Sequence, residues 1–300
     1  MDAGTGRDQG SGSVRFGLLG PLKVSREGVE ITPRASKQRL LLVALLMEPG
    51  RPVTTDRLVA ALWDGGAPPT ARASLGNQVH GLRRALGDGA GRLLRTVPHG
   101  YLLDAAPGAV DVQVFEDLLH CGRAAHRGED WDLASTALGA ALALWRGEPV
   151  PDLRVTGLLA YAVARWSEQR LQALEWRIES DLRLGRHHDV IAELAELTAA
   201  HPMREGLAGL LMTAHYQSGR LGDALSVYRR TRQLLIDELG VDPGAGLQEL
   251  HQRILAGDPV LPAADSRAQP MARCSRPSGV RTSGRPATRA RARARRRRRF

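Results

Sequence analysis

The sequence has little lysine, cysteine or aromatic content, and these shortages narrow the classes of protein to which it can belong. Lys23 and Lys37 are the only two lysines among 42 basic residues, so the other 40 are arginines. Together with 33 glycines and 17 prolines, this bias is typical of a GC-rich actinobacterial genome. The two cysteines, Cys121 and Cys274, are too few for a disulfide framework or a cysteine-based metal cluster.

Long apolar runs and enzyme motifs are also missing. The longest apolar run, residues 40–47, is far shorter than the roughly 20 residues that cross a bilayer. The first twelve residues lack the apolar core of a signal peptide. No GxxxxGK[ST] phosphate loop, metal-ligand spacing or nucleophile–base set occurs, and the acids Glu129, Asp130 and Asp132 fit a helix start. We therefore predict a cytoplasmic protein without membrane contact that is not an enzyme and has no catalytic residues, cofactor or metal.

The positive charge is unevenly distributed along the chain. The formal net charge is +10, but residues 263–300 hold 13 arginines and a single acid, Asp265. Residues 13–104 carry 13 basic and 7 acidic side chains, whereas residues 105–262 carry 15 basic and 22 acidic ones. We call residues 13–104 the head, residues 105–262 the body and residues 263–300 the tail. Attraction to phosphate groups is therefore expected from the head and the tail and not from the body.

Residues 13–104 have the element order of a winged helix with an additional N-terminal sheet. Hydrophobic periodicity and turn residues predict, in chain order, strands at 14–19, 22–24 and 29–31, helices at 36–47, 54–63 and 70–86, and strands at 93–97 and 101–103. Residues 105–110 are predicted to be a linker. Residues 1–12 are polar and Gly-rich, and we predict a disordered N-terminus there.

Residues 111–258 are predicted to be almost entirely helical, with an internal period of 34 residues. The pattern Leu-x-x-Gly-Arg at residues 182–186 recurs as Tyr-x-x-Gly-Arg at residues 216–220. This is the period of tetratricopeptide (TPR) repeats, in which helical hairpins stack around a concave groove. The predicted fold class is therefore mainly α, with an α+β winged helix followed by an all-α, TPR-like domain.

Residues 259–300 lack the hydrophobic periodicity of a helix and that of a strand. Arginine and alanine alternate there before a terminal run of arginines. Such a composition cannot bury apolar surface, so we predict a disordered, Arg-rich tail. One interpretation of this tail is a salt-sensitive clamp for nucleic acid. The other is a low-complexity extension without function, which we favour because no aromatic residue is interleaved with the arginines before Phe300.

The predicted helix at residues 70–86 carries the main functional signal. Leu75, Val79, Leu82 and Leu86 recur with the spacing of one buried stripe. The opposite side and its flanks carry Ser, Asn, Gln, His and Arg side chains, and no acid occurs in this helix. Arg pairs with guanine, and Asn or Gln pairs with adenine, in the major groove. The exposed face of this helix therefore predicts base reading in DNA.

Any surface helix has a polar face, so this helix alone does not establish that the protein binds DNA. The hairpin that follows the helix adds evidence for DNA binding. Arg92, Arg95 and His99 place basic or titratable groups on this short hairpin, where a wing can contact backbone phosphates or the minor groove. The alternative is a helical-repeat interaction scaffold in which the winged helix serves protein contacts. The lack of acids in the helix favours DNA.

Motifs dispersed over residues 14–262 carry a family resemblance. In the head they are Phe16-x-Leu18-Leu19-Gly20-Pro21-Leu22, Leu75-x3-Val79-x2-Leu82-Arg83-Arg84 and Arg95-Thr96-Val97-x2-Gly100-Tyr101. In the body they are Val110-Asp111-x3-Phe115, Leu144-Trp145-Arg146-Gly147 and Leu239-Gly240-Val241-Asp242-Pro243. The second and third motifs of the head resemble the recognition helix and wing of OmpR-type winged helices, and the motif that begins at Phe16 narrows the resemblance further. The motifs of the body resemble the bacterial transcriptional activation domain. Together they are similar to the Streptomyces antibiotic regulatory proteins, the SARP family.

The resemblance implies a sequence-specific transcriptional activator of a secondary-metabolite (antibiotic) gene cluster that is associated with the nucleoid. Members bind direct repeats in double-stranded DNA near promoters, as pairs of protomers, and recruit RNA polymerase holoenzyme. Residues 13–104 would be the DNA-binding domain and residues 111–258 the activation domain. We expect residues 1–104 to suffice for weak, salt-dependent binding to DNA. For the concave groove, three occupants remain open, namely a peptide, a polymerase segment or a small effector.

The same resemblance assigns roles to individual residues. Base reading is carried over to Ser74, Asn77, Gln78, His80 and Arg84. Contacts with the DNA backbone are carried over to Arg72, Arg83, Arg95 and His99. In a helical projection Gly81 lies on the exposed side, where related helices often carry arginine.

Overall fold

The computed structural model describes residues 14–63 and 66–258. The disorder that we predicted for residues 1–12 and 259–300 lies outside these described residues. The described part opens with a three-stranded antiparallel sheet in the order β1-β2-β3, formed by β1 (Val14–Gly17), β2 (Lys23–Arg26) and β3 (Val29–Glu30). Phe16 lies opposite Val24 in this sheet, and both side chains are buried.

Three helices and a second antiparallel sheet complete the head. The helices are α1 (Ser36–Leu46), α2 (Thr55–Trp63) and α3 (Ala71–Ala85). The sheet has the order β4-β6-β5 and consists of β4 (Val53–Thr54), β5 (Leu94–Val97) and β6 (Gly100–Leu103). The predicted winged-helix order is confirmed. We did not predict β4, because a strand of two residues is too short to show an alternating pattern.

Gly100 permits the close pairing of β4 with β6. A β-carbon at Gly100 would overlap the carbonyl oxygen of Val53, so any other residue would push the two strands apart. Glycine is therefore required here for lack of space and not for its backbone freedom.

The body consists of seven helices within the described residues. They are α4 (Asp111–Arg127), α5 (Trp131–Leu142), α6 (Gly157–Arg183), α7 (His187–Ala200), α8 (Glu205–Gln217), α9 (Leu221–Leu239) and α10 (Ala245–Ala256). They pack mainly as sequential antiparallel neighbours. The mainly α fold class is confirmed. The carboxylate of Asp130 accepts a hydrogen bond from the N–H of Leu133 at 3.2 Å, as expected for the first acid of a helix.

The 34-residue period corresponds to a repeated helix ending. Helices α4, α6 and α8 are each followed by a residue in the left-handed region, with φ of 58° at Glu129, 78° at Gly185 and 73° at Gly219. The next residue donates its N–H to a carbonyl five positions earlier, at 2.9–3.0 Å, in the pairs Asp130–Ala125, Arg186–Asp181 and Arg220–His215. This is the Schellman motif, and it turns the chain back into the second helix of each hairpin.

The described residues form two hydrophobic cores. The boundary between these cores lies within α6 and not between head and body. The first core runs from Val14 to Ala173 and joins the head to α4, α5 and the first part of α6. The second core runs from Ile178 to Ile254. Trp131 and Trp166 are buried in the body, where they pack among its helices. Among the described helices, none combines the length and apolar character needed to cross a membrane.

The stretch from residue 143 to residue 156 departs from the prediction of an almost entirely helical body. It is irregular apart from short turns, and it returns to the loop after β1, where Arg146 donates its N–H to the carbonyl of Leu19 at 2.7 Å. Local sequence could not reveal this path, because its partners lie more than 100 residues earlier.

Candidate nucleic-acid interface

The rotation of α3 about its axis is fixed by its apolar stripe. Leu75, Val79 and Leu82 are 1%, 2% and 0% exposed, and Ala71 and Leu86 are also buried. The helix packs on α1 and α2 through this stripe. Burying this side forces the opposite side into solvent, where a ligand can reach it.

The structure brings the five predicted base-reading residues onto one strip of α3. Asn77, His80 and Arg84 are exposed, whereas Ser74 and Gln78 are half-buried along the edge of the strip. The strip therefore presents an amide, an imidazole and a guanidinium, side chains that hydrogen-bond to base edges.

Gly81 is half-buried, like Ser74 and Gln78 at the edge of the strip, and the side chain of Gln38 from α1 lies over it. A β-carbon at Gly81 would overlap the side-chain amide of Gln38. The helical projection placed Gly81 on the exposed side because a projection contains no information about side chains that approach from another helix. An arginine at this position would first have to displace Gln38.

The wing is a hairpin with a two-residue turn, and its tip is tied to the head. In this turn His99 has a left-handed φ of 64°, and its carbonyl accepts the N–H of Thr55 at 2.9 Å. The side chains of Arg95 and His99 are exposed on the hairpin. The guanidinium of Arg95 lies 3.7 Å from the carboxylate of Asp104, and both side chains are 56% exposed. Such an exposed pair is weak and leaves Arg95 able to change partners.

Arg83 connects α3 to the wing. Its Nε and Nη2 atoms donate to the carbonyl of Leu94 at 2.9 and 2.8 Å, and Nη2 also donates to Oγ1 of Thr96 at 2.8 Å. These bonds hold the side chain of Arg83, which we predicted to contact the DNA backbone, along β5. The neighbouring Arg84 points to solvent instead.

Asp88 is a second connection between α3 and the wing, and sequence reasoning missed it. Its side chain is almost completely buried, and its carboxylate accepts three backbone N–H groups at 2.8, 3.2 and 2.8 Å, those of Arg92, Leu93 and Leu94. The sequence signal for this role is an aspartate directly after Gly87, the left-handed residue that ends α3, because a short acidic side chain can bond to nearby backbone N–H groups.

The remaining predicted backbone residue, Arg72, lies near the start of α3. Its Nη2 atom is 2.8 Å from the carboxylate of Asp56, and the two side chains are 76% and 78% exposed. Between the end of α3 and β5 lies a recess of about 460 Å³, lined among others by His80, Arg84 and Thr96. Within the described residues, His, Cys, Asp and Glu side chains nowhere gather in threes as a metal site.

Comparisons with known proteins cover both halves of the chain. Residues 27–103 match the family described as "Transcriptional regulatory protein, C terminal", and residues 110–255 match the "Bacterial transcriptional activator domain". Regulatory protein DnrI of Streptomyces peucetius is 40% identical over 255 residues, which cover 82% of this chain and 93% of DnrI. Regulatory protein AfsR of Streptomyces coelicolor is 43% identical over 256 residues, which cover 85% of this chain and 25% of AfsR.

A solved structure is also similar. It is Mycobacterium tuberculosis EmbR in complex with a low-affinity phosphopeptide, with a TM-score of 0.76 and 38% identity over 82% of this chain and 66% of that chain. The chain thus spans a quarter of AfsR and two thirds of the EmbR chain, but nearly all of DnrI. These relatives are transcriptional regulators, and the family expected from the motifs is confirmed. The chain belongs to the SARP family of transcriptional regulators, with an OmpR-type winged-helix head and a bacterial transcriptional activator body.

Proposed function

We propose that this protein is a sequence-specific DNA-binding activator of a secondary-metabolite gene cluster. It binds direct repeats near promoters as pairs of protomers and recruits RNA polymerase holoenzyme in the cytoplasm. The observation that carries the proposal is the exposed strip of α3, which presents Asn77, His80 and Arg84 and contains no acid. The similarity to DnrI over 93% of its length supports the same function.

In this proposal the exposed strip enters the major groove. Asn77 pairs with an adenine and Arg84 with a guanine, because their side chains match the donors and acceptors of these bases. His80, between them on the strip, contacts a third base edge. Ser74 and Gln78 contact bases at the edge of the groove, consistent with their half-buried positions.

The second set of residues contacts the sugar-phosphate backbone. Arg72 and Arg95 exchange their exposed ion pairs for phosphate, which costs little because these pairs are weak. His99 contacts the backbone from the turn of the wing. A phosphate between helix and wing would occupy the recess beside Arg84 and Thr96. We assign Arg83 mainly to positioning the wing, because three of its hydrogen bonds are made to β5.

Footprinting tests the proposal directly. The full chain is incubated with the promoter regions that flank its own gene, at low and at physiological salt. We expect protection of two repeats on one face of the duplex, and the affinity should fall as salt rises because phosphate contacts release counterions. No protection at low salt would contradict DNA binding and would favour an interaction scaffold.

The number of protomers is tested by altering the repeats. Scrambling one repeat should halve the protein-to-DNA ratio of the complex and weaken binding to the intact repeat. A complex of unchanged stoichiometry on a single repeat would contradict binding as pairs.

A further inference from the structure

Three family motifs that DNA binding does not explain meet at one place in the molecule. They are the loop at residues 18–22 after β1, Asp111 at the start of α4, and the Trp145-Arg146-Gly147 segment after α5. We call the contact of residues 16–22 with residues 109–111 and 146–150 the joint, since it connects head and body.

The carboxylate of Asp111 lies at the centre of the joint. The N–H of Leu18 is 2.8 and 2.9 Å from its two oxygens, and the N–H of Leu19 is 3.1 Å from Oδ2. Leu18 and Leu19 are completely buried, so loss of this acceptor would leave two buried donors without a partner. Burial raises the pKa of Asp111 although these N–H groups and Arg146 lower it. The directed bonds of Asp111 thus attach residues 18 and 19 of the head to the first turn of α4 in the body.

Arg146 closes the joint from the other side. Its Nη2 atom is 3.3 Å from Oδ2 of Asp111, and its Nη1 atom donates to the carbonyl of Pro21 at 2.9 Å. Two glycines make room for it. A β-carbon at Gly20 would stand 2.8 Å from Cβ of Arg146, and one at Gly17 would overlap its guanidinium.

The backbone on the body side of the joint is strained. Val150 has a left-handed φ of 42°, which is costly for a β-branched residue, and its side chain is 1% exposed. Its N–H donates to the carbonyl of Gly20 at 2.8 Å. Strain of this kind persists only where the surrounding structure over-determines the conformation, which marks the joint as a fixed contact and not a flexible linker.

We propose that Asp111 and Arg146 are positioning residues that hold the winged-helix head and the activator body in one orientation. The inference rests on the proposed function. When α3 lies in the groove of an operator, the joint determines where the body stands beside the promoter, and therefore whether it can meet polymerase. Breaking the joint should uncouple activation from DNA binding.

The test uses Arg146→Met and Arg146→Lys in the full chain. Methionine keeps much of the side-chain volume but cannot bond to Asp111 or Pro21, and one lysine ammonium cannot replace the forked geometry of arginine. The matched control is Arg154→Met, an exposed arginine in the same segment that forms no ion pair within the part of the chain that the structure describes. Three quantities are measured: the operator footprint, run-off transcription with polymerase, and amide hydrogen exchange at Leu18 and Leu19.

For Arg146→Met we expect binding within about twofold of wild type, exchange at Leu18 and Leu19 faster by about tenfold, and at least about fivefold less transcript. Arg146→Lys should lie between this variant and wild type, and Arg154→Met should match wild type. Unchanged transcription despite faster exchange would overturn the positioning role, as would unchanged exchange in both Arg146 variants. If the wild-type chain gave no footprint, the proposed function itself would fail, and exchange at Leu18 and Leu19 would still report whether the joint is fixed.

Discussion

His215 is a titratable side chain buried in the core between α8 and α9. It is 8% exposed, and its Nδ1 atom has no hydrogen-bond partner within the described residues. Burial lowers the pKa of His215, and the positive charges of Arg220 and Arg230 lower it further, while Asp223 acts in the opposite direction. The folded state therefore binds a proton less readily than the unfolded state does.

The sign of the pH dependence follows from this shift. Above the unfolded pKa of about 6.5 both states are neutral at this position, and His215 gives no pH dependence. Below that value the unfolded state takes up the proton first. The free energy of unfolding therefore decreases as the pH is lowered, by up to about 1.4 kcal/mol per pH unit. His215→Leu should weaken the loss of stability between pH 7 and pH 5.5 in urea titrations. A slope identical to that of the wild-type chain would show that His215 does not control it.

At the scale of single elements, the left-handed helix endings divide into two kinds. Gly185 and Gly219 adopt their φ values without strain, whereas Glu129 adopts the same conformation with a side chain. A β-carbon at Gly185 or Gly219 would meet no atom within 4 Å among the described residues. Substitutions at these three positions therefore report on the backbone conformation and not on steric clashes.

Glu129→Gly should raise the free energy of unfolding by about 1 kcal/mol, because the unfavourable left-handed conformation of a non-glycine residue is relieved. Gly185→Ala and Gly219→Ala are the matched reverse changes and should lower it by a similar amount. Chemical denaturation of the three variants measures this. Destabilisation by Glu129→Gly would contradict the shared role of these helix endings.

The bonds of Arg83 attach α3 to the wing, and replacing Arg83 tests this attachment. Arg83→Met removes the bonds to Leu94 and Thr96, so it should lower the free energy of unfolding by about 1–3 kcal/mol and weaken DNA binding about tenfold. Because the displaced wing no longer places Arg95, adding Arg95→Ala should weaken binding further by less than about twofold.

Arg84→Met is the control for this experiment. Arg84 neighbours Arg83 but is exposed, so its replacement should leave thermal stability unchanged. If Arg83→Met kept full stability and its binding loss added fully to that of Arg95→Ala, Arg83 would act as an independent phosphate contact.

At the scale of the whole molecule, head and body share a core and a buried joint. The sequence predicted that residues 1–104 suffice for weak binding to DNA. A fragment of residues 1–104 lacks Asp111 and the carbonyl of Ala109, which accepts the N–H of Phe16 at 2.8 Å. We therefore expect this fragment to melt broadly and well below the full chain, with operator binding at least tenfold weaker. Cooperative melting with wild-type affinity would show that the head is autonomous.

Local patterns made much of this fold predictable. The stripe of Leu75, Val79 and Leu82 has a helical period, and the glycines at 185 and 219 mark helix ends, so α3 and the hairpins of the body could be placed from sequence. The outward direction of Asn77, His80 and Arg84 followed from the same periodicity. These features depend on neighbours within a few residues.

Features that depend on distant partners could not be predicted in this way. The bonds from Leu18 to Asp111 and from Arg146 to Pro21 join positions 93 and 125 residues apart. The half-buried state of Gly81 depends on the side chain of Gln38 from another helix. The path of Arg83 along β5 depends on how the wing folds back. Periodicity specifies which side of an element is buried, but not which side chain of another element it meets.

In the proposed complex α3 reads bases while the wing contacts the backbone. The most direct measurement is the selection of preferred binding sequences from a randomised operator by wild type, Asn77→Ala and Arg95→Ala, with affinities measured for the selected sites. Asn77→Ala should lose the preference at one position and keep it elsewhere, whereas Arg95→Ala should weaken all sequences alike and reduce the salt dependence by about one counterion. Equal, sequence-independent losses in both variants would contradict base reading by α3.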